Sequence, residues 1–373
     1  MASLPLDGFY SVIPAGGVGS RLWPLSRADA PKFLHDLAGS GNTLLRDTWE
    51  RLVPLSGTDR IMVVTGRAHR AAVEAQLPEL ADKNVVLESE PRDSTAAIGL
   101  AAAILVEREP DVIIGSFAAD HVIRDQKNFA RAVAEAVAAA RAGYIALIGI
   151  TPTEPAIGFG YIHCGDPKQL DGAPHARMVD RFVEKPDLAT AQSYLEDGSY
   201  LWNGGMFISR ADVLLEQLGA AEPEMLKGLR DLAAVWDGST SVRGAMVDQV
   251  WPNLKKIAID YTVAEPAATA GRVVVIPGDF DWDDVGDFGS IAKLHAAGRK
   301  SDLAILGEDA RVLADSSTGV VISQGKRLIS LIGVTDIVVV DTEDALLVTT
   351  TQNAQRVKAV VDALKLSGRS DVL

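Results

Sequence analysis

The 373-residue chain has a single cysteine, Cys164, so it can close no internal disulfide and build no multi-cysteine metal site. A reducing, cytoplasmic setting is the expectation. Long apolar runs are also missing. No stretch approaches the roughly 20 residues that span a bilayer, and residues 1–7 lack a basic segment leading into an apolar one, so neither export nor membrane insertion is expected. Basic charge is in deficit: 36 Lys and Arg face 50 Asp and Glu, a net charge of −14, which disfavours nucleic acid and anionic membranes as partners. No Ser-His or Cys-His nucleophilic device is evident, nor an internal repeat. With 47% apolar and 23% charged residues the chain has the balance of a globular protein. Its length suits a large domain plus a smaller one.

The most informative stretch is a loop. An apolar run at 9–13 leads into Pro14-Ala15-Gly16-Gly17-Val18-Gly19-Ser20-Arg21-Leu22, with Arg27 and Lys32 soon after. Glycines let backbone amides approach phosphate oxygens without an intervening side chain. Ala15, Gly16, Gly17, Gly19 and Ser20 are therefore candidates for holding a nucleotide triphosphate, and Arg21 and Lys32 for neutralising it. Two better-known phosphate motifs fail on spacing. The dinucleotide fingerprint G-x-G-x-x-G meets Leu22 where its last glycine is needed, which moves an NAD-dependent dehydrogenase far down the ranking. A P-loop would need Lys-Ser or Lys-Thr after the glycines, and neither follows. An ordinary strand-to-helix turn with solvated cations would read the same way.

Short apolar runs then alternate with amphipathic stretches: helix 43–53, strand 60–65 with a helix reaching 77, strand 84–87, helix 96–107, strand 111–115, helix 128–141, strand 144–150. This rhythm predicts an α/β fold with a mixed, mostly parallel sheet covered on both faces. From 157 the texture becomes strand-rich, with candidates at 158–164, 178–184 and 201–209 around a helix at 188–196. Helical spacing resumes over 211–232, and 273–276 reads as a strand. Composition turns linker-like at 297–301, and the runs 311–314, 319–323, 328–332 and 336–340 have the spacing of an all-β unit closed by a helix at 353–364. The expected domains are 8–297, catalytic, and 302–373, β-rich.

Three further stretches carry candidate chemistry. Asp120 follows the 111–115 strand, and Asp284 lies in Phe280-Asp281-Trp282-Asp283-Asp284-Val285-Gly286, where crowded carboxylates repel unless a cation or solvent relieves them. Together they can hold Mg²⁺, which prefers oxygen ligands and keeps waters while bridging phosphates; a solvated acidic loop is the competing reading. In Phe182-Val183-Glu184-Lys185-Pro186, Glu184 can accept from sugar hydroxyls and Lys185 can hold a phosphate, although a surface ion pair fits equally. Trp202-Asn203-Gly204-Gly205-Met206-Phe207 offers an amide beside an aromatic ring.

Taken in order, these motifs resemble those of the sugar-1-phosphate nucleotidyltransferases, most closely the mannose-1-phosphate guanylyltransferases, from about Tyr10 to Phe288 and more weakly beyond. The resemblance implies a Rossmann-like nucleotidyltransferase fold and transfer of GMP from GTP to mannose 1-phosphate, giving GDP-mannose and pyrophosphate. It implies that Arg21 and Lys32 hold the triphosphate and stabilise the leaving pyrophosphate. Asp120 and Asp284 bind Mg²⁺; Gly160, Glu184 and Asn203 hold the sugar, Lys185 its phosphate, and Asp260 lies nearby. Arg92 and Ser94 belong to the segment 88–98, which is similar to the family's base-side segment, with Asp93 and Ser94 where Asn and Thr are common. Gly204 stands where Ser is frequent and Pro266 where Lys is usual. No isomerase domain is expected, and the β-rich tail resembles a left-handed β-helix fragment used in self-association, implying a homodimer. Another NTP and hexose 1-phosphate pair, or a non-catalytic GDP-mannose-binding subunit, are the alternatives that remain.

Overall fold

The computed structural model describes residues 5–296, 303–307 and 309–373. The expected linker at 297–301, the domain boundary between 297 and 302, and residues 1–4 lie outside the described residues. The chain forms two compact units. The first takes residues up to Gly16, Thr48–Ala119 and Ile123–Trp282; the second takes Gly17–Asp47, Asp120–Val122 and Asp283–Leu373.

The first unit is built on a nine-stranded sheet. Its strands are β1 Phe9–Ala15, β2 Ile61–Gly66, β3 Val85–Glu88, β4 Ile113–Ser116, β5 Ile145–Ile150, β6 Gly160–Pro167, β7 Arg177–Glu184, β8 Tyr200–Arg210 and β9 Val273–Gly278, in the spatial order β3-β2-β1-β4-β8-β5-β9-β7-β6. β1 pairs in parallel with β2 and β4, β2 with β3, and β5 with β9. Only β7 and β8 run against the rest. The sheet is thus mixed, with most strands pointing one way. Its central strands are apolar on both faces, as strands covered on both sides must be. The alanine-rich helix Asp93–Arg108 buries eleven consecutive residues, Thr95 to Leu105, because small side chains let it lie between the sheet and its neighbouring helices.

Two predicted elements differ from what forms. The helical run 211–232 is broken into Ala211–Ala221 and Pro223–Ala234, because Pro223 lacks an amide and suits the first turn of a new helix. The closing helix begins at Val357 rather than 353, after a 3₁₀ segment, Thr351–Arg356.

In the second unit the C-terminal strands are β10 Leu303–Leu306, β11 Arg311–Asp315, β12 Gly319–Ser323, β13 Leu328–Ile332, β14 Ile337–Asp341 and β15 Leu346–Thr350. Alternate strands join different ladders: β10, β12 and β14 stack in parallel with Leu303, Gly319 and Ile337 in register, while β11 pairs in parallel with β13. A chain that visits two parallel ladders in turn is coiling as a β-helix. Leu303, Val321 and Val339 fill the coil with Val312, Ile329 and Leu331. The opposite face of the first ladder, Val320, Ile322, Val338 and Val340, buries Leu22, Trp23 and Leu25 from just beyond the glycine loop. Arg27 pairs with Asp344 at 2.7 Å and donates to the Val372 carbonyl, so it anchors this tail instead of serving the loop's cation cluster.

Candidate active site

In the first unit, the loops after β1, β3 and β4 leave the same edge of the sheet, the edge where α/β proteins place ligands. The Ala15 carbonyl is fixed by the Thr65 hydroxyl at 2.7 Å. Gly16 faces β3: a Cβ there would stand 3.3 Å from Glu88 Oε2. Glu88 itself is 5% exposed, and burial alone raises its carboxyl to about 7. The Ser94 hydroxyl accepts from the Ile259 amide at 2.9 Å, and Arg92 pairs with Glu90 and donates to the Pro252 carbonyl. Asp93, where Asn is common, has φ +68, a left-handed conformation that Asp and Asn both adopt more readily than most residues.

Also in the first unit, the five residues expected at a sugar phosphate come together. Gly160 and Glu184 are register partners on β6 and β7, and a Cβ on Gly160 would meet Glu184 Oε2 at 2.5 Å and Asn203 Cβ at 3.3 Å. Only glycine lets the Glu184 carboxylate come so close to the backbone. Asn203 donates to Asp260 Oδ1 at 2.8 Å and accepts from the Gly205 amide at 3.1 Å, so its amide orientation is set. Asp260 opens a π-helical turn, Asp260–Ala264, a form that recurs at functional sites. Burial first, and then the Glu184 charge, push the Asp260 carboxyl up to about 6, against Lys185 and Asn203. Lys185, at φ +49, holds its ammonium on Glu184; burial opposes its charge, but Glu184 outweighs it and raises the pKa. Two carboxylates, an amide and an exposed ammonium gathered at Gly160 form a polar cluster that offers acceptors to hydroxyls and a cation to an anion.

In the second unit, Gly17, Gly19, Ser20, Arg21 and Lys32 lie on one short loop. Gly19 has φ +78, and a Cβ there would be 2.7 Å from the Lys32 Cβ, so both conformation and space demand glycine. The loop closes through Lys32 N–H to the Val18 carbonyl at 3.1 Å and the Ser26 hydroxyl to the Gly19 carbonyl at 2.5 Å. Arg21 is exposed, whereas Lys32 is 8% exposed. The Lys32 ammonium lies 2.8 Å from Asp120 Oδ2 and donates to the Asp284 and Val285 carbonyls at 2.7 and 3.2 Å. Burial works to raise the Asp120 pKa, but Lys32 and then His121 outweigh it and hold the group below the usual carboxylate range. Burial drives Asp284 up to about 6; Lys32 opposes the rise, and the Asp283 and Asp120 charges add to it. Among the described residues no three His, Cys, Asp or Glu side chains are gathered to hold a metal alone. Two carboxylates suit Mg²⁺, which takes its remaining oxygens from water and substrate phosphate.

The chain belongs to the nucleotidyl transferase family, whose profile matches residues 10–301. A second profile, the mannose-phosphate isomerase/GMP-like β-helix domain, matches residues 309–364. Among similar proteins, the mannose-1-phosphate guanylyltransferase of Escherichia coli (strain K12) is 35% identical, over 97% of this chain and 74% of that protein. The xanthan biosynthesis protein XanB of Xanthomonas campestris pv. campestris (strain B100) is 37% identical over 96% and 74%. A crystal structure described as a mannose-1-phosphate geranyltransferase from Thermus thermophilus superposes with a TM-score of 0.83 at 31% identity, covering 96% of this chain and 99% of that one. Among the described residues no helix is long and apolar enough to cross a membrane.

Proposed function

We propose that the protein transfers GMP from GTP to mannose 1-phosphate, releasing pyrophosphate. The observation that carries this reading is the 35% identity, across nearly the whole chain, to a mannose-1-phosphate guanylyltransferase. The polar cluster of the first unit and the glycine loop of the second supply groups of the required chemistry. A phosphate oxygen of the sugar attacks the α-phosphorus of GTP, a new P–O bond forms, and the bond to the β-phosphate breaks with its electrons leaving on pyrophosphate. The nucleophile arrives ionised, so the chain needs no general base. Glu184, Asn203 and Asp260 would hold sugar hydroxyls, and Lys185 the sugar phosphate. The amides of Ala15, Gly16, Gly17, Gly19 and Ser20 would line the triphosphate, with Arg21 and Lys32 at the pyrophosphate end and Arg92 and Ser94 toward the base. Asp120 and Asp284 would hold Mg²⁺, which when bound neutralises phosphate charge. The deciding experiment offers GTP, ATP, UTP and dTTP with mannose 1-phosphate and glucose 1-phosphate and measures pyrophosphate. Release only with GTP and mannose 1-phosphate is expected; tight GDP-mannose binding with no release from any pair would overturn the reading.

Lys185→Ala is expected to raise the KM for mannose 1-phosphate about tenfold or more, the loss of one charge-assisted phosphate contact, with the KM for GTP little changed. An unchanged KM for the sugar phosphate would refute its role.

The lone cysteine favours a cytoplasmic enzyme. Self-association is supported by the outer face of the β11–β13 ladder, where Leu313, Leu328 and Ile332 are 66%, 63% and 77% exposed. On that face Leu313 lies diagonally between Leu328 and Ile332, interleaved with Arg311, Asp315 and Ser330, and exposed aliphatic side chains of this size on a sheet favour a partner surface of mixed apolar and charged character. Leu313→Asp with Ile332→Asp is expected to convert a sedimenting dimer to monomer; a wild-type monomer would rule the homodimer out.

A further inference from the structure

The proposed reaction asks Lys32 to face a triphosphate, yet its ammonium is already engaged. Its three N–H directions meet three oxygens within the second unit: Asp120 Oδ2 at 2.8 Å, the Asp284 carbonyl at 2.7 Å and the Val285 carbonyl at 3.2 Å. One acceptor is a proposed metal ligand, and another is the backbone of the second. We propose that in the nucleotide-free protein Lys32 occupies the cation seat between Asp120 and the Asp284 loop and keeps a divalent metal out until a phosphate draws the ammonium away. The inference rests on the reading of Asp120 and Asp284 as metal ligands.

Three features of the chain support it. The ammonium at 2.8 Å takes a lone-pair direction of Asp120 Oδ2 and sets a full positive charge beside the carboxylate that a dication, bonding at about 2.1 Å, would have to share. Two cations sharing one carboxylate at such separations repel strongly. The acidic loop is shaped around the lysine: fully buried Val285 sits at φ +47, an uncommon conformation for a β-branched residue. Its amide is held by Asp283 Oδ1 at 2.7 Å and that of Gly286 by Asp284 Oδ1 at 3.1 Å, which turns two successive carbonyls onto the ammonium. Finally, the lysine stem lies against Gly19, and the Lys32 amide bonds to Val18. A phosphate reaching the glycine loop therefore arrives beside the side chain whose release would uncover Asp120. Metal and nucleotide then enter together, without a separate metal-loaded resting state.

The test measures Mn²⁺ binding to the nucleotide-free protein from the electron paramagnetic resonance signal of free Mn²⁺. Wild type and Lys32→Arg, which keep the positive charge, should bind weakly. Lys32→Met should bind about tenfold tighter or more once the competing charge is gone. Adding Asp284→Asn to Lys32→Met should abolish that gain. Lys32→Gln, which retains a donor for the two carbonyls, replaces the methionine variant if circular dichroism shows that variant unfolded. Equal Mn²⁺ affinity in wild type and the uncharged variant overturns the gating while leaving the metal ligands standing. Wild-type turnover that survives exhaustive chelation would instead bring down the metal reading underneath it.

Discussion

Asp284→Asn is expected to lower pyrophosphate release by about a hundredfold or more, because a ligand to the proposed charge-neutralising metal is lost, while the melting temperature at pH 8 equals or exceeds that of the wild type. The two halves of this result have separate causes. Asparagine keeps the shape of the side chain and an oxygen for the Gly286 amide, now 3.1 Å from Asp284 Oδ1, so the turn that presents Val285 to Lys32 persists. What disappears is a negative charge that burial and the Asp283 and Asp120 carboxylates disfavour, although Lys32 supports it. Removing it should not weaken the fold. A carboxylate kept for folding would lose stability and activity together; one kept for a cation loses activity alone. Saturating-substrate turnover and thermal melting on the same preparation distinguish these cases. Full turnover in the variant would remove Asp284 from the proposed metal site.

The strands were legible because contiguous apolar residues such as Ile61 to Val64 and Ile145 to Ile148 have few places to go other than a doubly covered sheet. The cluster of Gly160, Glu184, Lys185 and Asn203 was also within reach, since Glu184-Lys185-Pro186 and Trp202-Asn203 are local motifs whose order along the chain carries meaning. What stayed hidden depends on pairings across hundreds of residues. Nothing local says that Lys32 reaches the carbonyls of Asp284 and Val285, or that Arg27 is tied to Asp344 and Val372. The helix Thr240–Val250 escaped because it buries little besides Val247 and so lacks a clear apolar stripe. Glu88 was visible as the acid opening segment 88–98, but only the sheet reveals that it is buried at the end of β3 opposite Gly66.

That burial gives the second large effect. Glu88→Gln is expected to stabilise the protein by up to about 3 kcal/mol at pH 8, the equivalent of a carboxyl moved from about 4.5 to about 7. The sign follows from proton counts. Between about pH 4.5 and pH 7 the folded chain holds this proton and the unfolded chain has released it, so stability falls as pH rises through that window. Below the window Glu88 contributes nothing, and above it the full destabilisation is present. Glutamine, neutral throughout, should remove this fall, with the gain shrinking to about 1 kcal/mol or less at pH 5. Urea midpoints of both proteins at pH 5 and pH 8 provide the measurement. A pH-independent difference would mean that burial is not what perturbs Glu88, and a loss of stability at pH 8 would mean that the carboxylate is satisfied in the fold. A destabilising charge kept at the end of a strand, against Gly16 of the glycine loop, is the kind of group that binding sites retain at the expense of the fold. The same variant should therefore lose affinity for GTP as it gains stability.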